Sequence, residues 1–185
     1  MQCDSARILF LLGPSGCGKS SLGSWVAEDL AFLHIEIDQW PNPDGIDLAA
    51  IRAQWSRFLE HGSACPLAES LRIRVASADR AGTVLTFPGR LVLPVPRIAS
   101  AMDVGIVVVV LYGTGAECMD AFLARECATG RGLGVDHWIT NNRDIYAEFS
   151  RPDYAPYRVA AFDNGRHRSR AALVDEIRRR LIRHS

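Results

Sequence analysis

One stretch constrains the fold more than any other: Gly13, Pro14, Ser15, Gly16, Cys17, Gly18, Lys19 and Ser20. An apolar β-branched run, Ile8 to Leu12, precedes it directly. Leu22, Trp25, Val26 and Leu30 follow it at helical spacing. Three closely spaced glycines fit neither strand nor helix and permit a tight curl between the two. The chain therefore opens with a strand–loop–helix unit, and whatever follows has to extend that unit.

The rest repeats the theme. Further short apolar runs occur at Phe32–Ile37, Thr83–Phe87, Ile106–Tyr112 and Arg158–Phe162. They lack clean alternation, as expected of strands buried on both faces of a parallel sheet. Ile51, Trp55 and Phe58 mark a helix after the second run, and Leu173, Ile177 and Leu181 mark one at the end. The pattern predicts an α/β three-layer sandwich around a five-stranded parallel sheet, of the P-loop NTPase type. No linker or repeat divides residues 1–185, so one domain is expected. Between Glu117 and Tyr157 the reading is one helix, Cys118 to Ala128, followed by a Gly-rich and Pro-containing excursion.

Composition narrows the partners. Lys plus Arg and Asp plus Glu are both 21, so the net charge is zero. This gives no whole-molecule attraction to nucleic acid or to an anionic membrane, and neither is expected as a partner. The apolar runs are too short to span a bilayer. Five cysteines, Cys3, Cys17, Cys65, Cys118 and Cys127, are widely spaced and contain no CxxC. They read as reduced thiols of a cytoplasmic protein. The chain contains one Lys, Lys19, in a background of Arg. A position that keeps Lys there points to a need for a slim ammonium rather than a forked guanidinium.

The loop itself fits G-x-x-x-x-G-K-[ST], the pattern that cradles phosphates. Backbone N–H groups and the helix N-terminus attract the anion. Residues Gly13 to Ser21 are the expected nucleotide-binding set. Lys19 would reach the β- and γ-phosphates, and the Ser20 hydroxyl would ligate Mg2+. Cys17 reads as a small filler. Asp38 follows the second run, at the strand end where parallel sheets place ligands, and suits either a general base or the Mg2+ shell. No Asp ends the third run; Gly89 and Arg90 stand there, suited to close approach and to holding an anionic group. Trp40 and Trp55 suit either a ring-binding wall or packing, and Arg52 and Arg57 read as surface.

In this order of parts the chain resembles the small P-loop kinases, among them shikimate kinase, gluconate kinase and chloramphenicol phosphotransferase. The likeness runs over nearly the whole chain, and its specific element is the phosphate loop. It implies ATP and Mg2+ as cofactors and a small hydroxyl-bearing molecule as acceptor. It also implies Lys19 and Asp38 as catalytic residues, and an acceptor segment over about 39–80 with Asp38, Trp40, Gly89 and Arg90 near the acceptor. A lid over about 117–145 would bring Arg125 and Arg131 to the phosphates, closing against water. The Asp163–Arg166 turn falls where such kinases hold adenine. The double-Asp pattern after the second strand of shikimate kinase is absent here; Asp38 stands with Ile37 before it. A monomer or homodimer is expected. Two alternatives remain: a nucleoside or nucleotide monophosphate kinase, and a non-kinase ATP-binding switch. A GTP switch with an NKxD motif is excluded, because the one Lys lies in the loop.

Overall fold

The computed structural model describes residues 7–38, 48–88, 91–129 and 135–183, with the backbone alone for 135–138. Five parallel strands form the central sheet: β1 (Arg7–Leu12), β2 (Phe32–Glu36), β3 (Gly82–Thr86), β4 (Ile106–Tyr112) and β5 (Arg158–Ala160). Their spatial order is β2-β3-β1-β4-β5. Leu11 pairs in register with Thr86 on one side and Val109 on the other. Each of the five apolar runs of the sequence supplies one of these five strands.

Alternate residues of β1 enter two separate cores, which explains the continuous apolar run. Ile8, Phe10 and Leu12 face one core, built with α2 (Leu48–His61), α3 (Cys65–Ser77) and α4 (Val95–Met102). Leu9 and Leu11 face the other, built with α1 (Lys19–Leu30) and α7 (Arg170–Arg183). The result is the expected three-layer sandwich. Among the described residues no helix is long and apolar enough to cross a membrane.

Of the region from 117 to 157, residues 130–134, with the glycines of the expected excursion, lie outside the described residues. The rest holds two helices, α5 (Gly115–Thr129) and α6 (Val135–Ser150), then a 3-10 segment (Pro152–Tyr157). Phe149 and Tyr154 are buried in the first core, their rings edge to face at 5.2 Å. This segment packs against β4 of the sheet. The fifth run splits: β5 stops at Ala160, and Phe162–Asp163 (β6) pairs antiparallel with Arg166–His167 (β7). Asn164 and Gly165 turn this small hairpin, both at positive φ, the conformation that two-residue hairpin turns favour.

Candidate active site

The glycine loop lies between β1 and α1, as the motif demands. Gly13 has φ 138°, and a Cβ there would stand 2.2 Å from the Leu111 carbonyl oxygen. Gly16 has φ 87°, and a Cβ there would stand 2.4 Å from the Cys118 carbonyl oxygen of α5. Only glycine meets both demands, a left-handed backbone and another main chain in contact. Gly18 is the N-cap of α1. The loop is therefore gripped by β4 on one side and by α5 on the other.

Inside the loop, the Lys19 ammonium donates to the carbonyls of Gly13 (2.8 Å) and Pro14 (2.9 Å). Lys19 is only 8% exposed. Among the described residues no carboxylate forms an ion pair with it. A buried cation normally needs a charged partner. Here it sits beside the positive end of the α1 dipole instead. That arrangement suits a polyphosphate. Ser20 and Ser21 are exposed in the first turn of α1. A single hydroxyl from Ser20 fits Mg2+, a hard ion that keeps most of its waters. The Cys17 thiol donates to the Pro14 carbonyl at 2.8 Å and is buried. Burial pushes its pKa up, opposing the nearby Lys19 charge. It is a packed filler, as read from the sequence.

Asp38 is exposed in the turn after β2, at the same carboxyl edge of the sheet as the loop. The β3 end, Phe87 and Pro88, leads out between them. Arg52, which reads as surface, is half-buried and grips the Ile37 carbonyl through Nε (2.9 Å) and Nη2 (2.7 Å). Trp55 is packing: it contacts Phe10 (5.7 Å), Phe58 (5.4 Å) and Phe87 (4.4 Å) by ring centroids and is 7% exposed. Trp40, Gly89, Arg90 and Arg131 lie outside the described residues. Arg125 is exposed on α5, bonded to Glu126 and set over the Phe122 ring.

Three groups absent from the sequence reading join the site. Asn142 of α6 bonds both backbone groups of Ser15 in the loop. Glu117 caps α5: its carboxylate accepts from the Thr114 N–H, while its own N–H donates to Thr114 Oγ1. It also accepts from the Gly165 N–H, tying the hairpin to α5. Thr114-x-x-Glu117 is a capping box legible in the sequence. His167 stacks on Phe162 at 4.3 Å and lies against Gly18. Between α5 and α6 a cavity of about 380 Å3 is lined by Met119, Asp120, Asn142, Arg143 and Tyr146 among others.

No family model matches the chain, and no curated protein matches it. Solved structures do. A shikimate kinase from Acinetobacter baumannii, in complex with shikimate, superposes with a TM-score of 0.54 at 18% identity, covering 98% of this chain and 96% of that one. A gluconokinase from Sinorhizobium meliloti 1021 superposes with a TM-score of 0.51 at 20% identity, over 97% and 93%. A shikimate kinase from Bacteroides thetaiotaomicron gives 0.50 at 16% identity, over 95% and 98%. Coverage is nearly complete on both sides, so the likeness extends to the whole sandwich as well as the loop. The chain has the α/β fold of the small P-loop kinases.

Proposed function

We propose that this protein transfers the γ-phosphoryl group of ATP, with Mg2+, to a hydroxyl on a small molecule. The observation that carries the reading is the Lys19 ammonium, buried in a glycine loop at a helix N-terminus without a described carboxylate partner. Phosphoryl transfer is catalysed mainly by positioning and by offsetting charge on the transferred oxygens. Lys19 supplies that charge from inside the loop. Backbone N–H groups from Gly16 to Ser21 hold the remaining phosphate oxygens. The Ser20 hydroxyl would hold Mg2+, which would supply further positive charge at the phosphates. Asp38 accepts the proton of the attacking hydroxyl, or orients it, from the neighbouring strand end. Trp40, Gly89 and Arg90 belong to the acceptor side in this reading. Arg125 and Arg131 belong to the closing segment over about 117–145.

The variants Lys19→Ala and Asp38→Asn test the assignment. Lys19→Ala abolishes turnover and weakens Mg-ATP binding. Asp38→Asn cripples transfer while Mg-ATP binding stays near the parent value. Full transfer activity in Asp38→Asn would overturn the role given to that carboxylate.

A further inference from the structure

Ser15 and Asn142 are 127 residues apart in sequence and joined by two hydrogen bonds. The Ser15 N–H donates to Asn142 Oδ1 at 2.9 Å, and Asn142 Nδ2 donates to the Ser15 carbonyl at 3.2 Å. The side-chain amide thus pairs with one loop residue as a backbone peptide would. Only this orientation of the amide satisfies both groups. Asn142 is 4% exposed. It occupies a turn of α6 whose next inward positions are Ile145 and Phe149, both buried apolar residues. A polar residue in an apolar stripe needs its partners to be tolerable. The loop supplies them.

The contact reaches further than Ser15. The N–H that Asn142 holds belongs to the same planar unit as the Pro14 carbonyl. That carbonyl accepts from the Lys19 ammonium at 2.9 Å and from the Cys17 thiol at 2.8 Å. In a trans peptide the N–H and C=O point in opposite directions, so fixing one fixes the other. Asn142 lies on one side of this peptide and Lys19 on the other.

We propose that Asn142 is a positioning residue for the Lys19 ammonium, acting through the Pro14–Ser15 peptide. It makes α6 part of the phosphate site although no atom of Asn142 needs to touch a phosphate. Release of α6 from the loop frees this peptide to rotate, and the anchor of the ammonium rotates with it. The inference rests on the nucleotide-site reading of the loop, and its test needs no acceptor.

The test is a double-mutant cycle on Mg-ATP affinity, measured by calorimetry with Asn142→Ala, Lys19→Ala and the double variant. Asn142→Ala alone should weaken Mg-ATP binding roughly tenfold, the scale of one lost buried hydrogen-bond partner. In the Lys19→Ala background the same change should cost almost nothing, because the group it positions is gone. Asn142→Leu serves as a second removal: it continues the apolar stripe with Ile145 and Phe149, so it keeps α6 packed while deleting both bonds. Asn141→Ala, one residue along the same helix, is the control and should bind as the parent does. Equal losses in both backgrounds, or no loss in either Asn142 variant, overturn the proposal. So does a failure of both Asn142 variants to fold, which would make the residue a scaffold element. A protein that binds Mg-ATP with this coupling, yet turns over no acceptor, would contradict the kinase reading and leave the positioning role standing.

Discussion

The Arg52 guanidinium holds the Ile37 carbonyl with two donors, at 2.9 and 2.7 Å, one residue before Asp38. A helix of one layer thereby fixes the turn that carries the proposed base. Charged hydrogen bonds of this kind contribute about 1.5–3 kcal/mol, less for a half-exposed group. Arg52→Ala should lower unfolding free energy in urea by about 1–2 kcal/mol. It should also reduce kcat more than it raises the KM for ATP, since Asp38 is displaced and the loop is not. Arg52→Lys, which offers a point donor instead of a fork, should recover little of the loss. A change in KM for ATP alone would contradict this link.

The loop glycines differ in what surrounds them. At Gly16 a Cβ would meet the α5 backbone at 2.4 Å, whereas at Gly18 the nearest atom is the His167 ring at 3.5 Å. Both carry φ 87°. Gly18→Ala should cost only the left-handed backbone strain, about 1–2 kcal/mol. Gly16→Ala should cost more than that and weaken nucleotide binding, because α5 has to move off the loop. Thermal unfolding of the two variants side by side checks the order; a larger loss at Gly18 would contradict the packing of α5 against Gly16.

Glu117 predicts a pH effect of definite sign. Hydrogen bonds from the Thr114 backbone first, then its side chain, then the Gly165 N–H, hold its pKa below the ordinary value of 4.5. A carboxyl depressed on folding stabilises the native state fully above its unfolded pKa, and this contribution is lost as pH falls through the folded one. Stability should therefore decline as pH drops below about 4.5, and Glu117→Gln should flatten part of that decline. An unchanged acid slope in the variant would remove Glu117 from the account.

The thiols should divide by burial. Cys65 and Cys127 are exposed, while Cys17 and Cys118 are buried. Burial pushes Cys17 upward and Cys118 to about 12, so neither offers a thiolate at neutral pH. Peptide mapping after brief alkylation should find Cys65 and Cys127 modified, with Cys17 and Cys118 protected. Cys17 reacting as fast as Cys65 would contradict its packed place in the loop.

The sheet and the loop were legible because their signals are local. Continuous β-branched runs mark strands covered on both faces, and the glycine spacing marks the curl between β1 and α1. Helix α6 was hidden because Asn142 interrupts the apolar spacing of Ile145 and Phe149. Its reason for being polar lies in Ser15, far away in sequence. Arg52 read as surface for the same cause: its partner is a main-chain carbonyl, which has no sequence signature. Trp55 was ambiguous between pocket and core, and three aromatic neighbours, Phe10, Phe58 and Phe87, decide for the core. Glu117 went unread although its spacing from Thr114 is a local cap signal, and its bond to Gly165 depends on the hairpin fold.

The role proposed for the Lys19 site is transfer of a phosphoryl group to a small hydroxyl acceptor. The most direct measurement is ADP release from Mg-ATP with and without a panel of acceptors. The panel holds sugars, sugar acids, shikimate, aminoglycoside and phenicol antibiotics, nucleosides and nucleoside monophosphates, with Lys19→Ala as the blank. One hydroxyl-bearing class should raise ADP release well above the acceptor-free rate, and the rise should vanish in Lys19→Ala. Tight Mg-ATP binding with a slow rate that no acceptor raises would contradict this role, and would favour an ATP-binding switch built on the same fold.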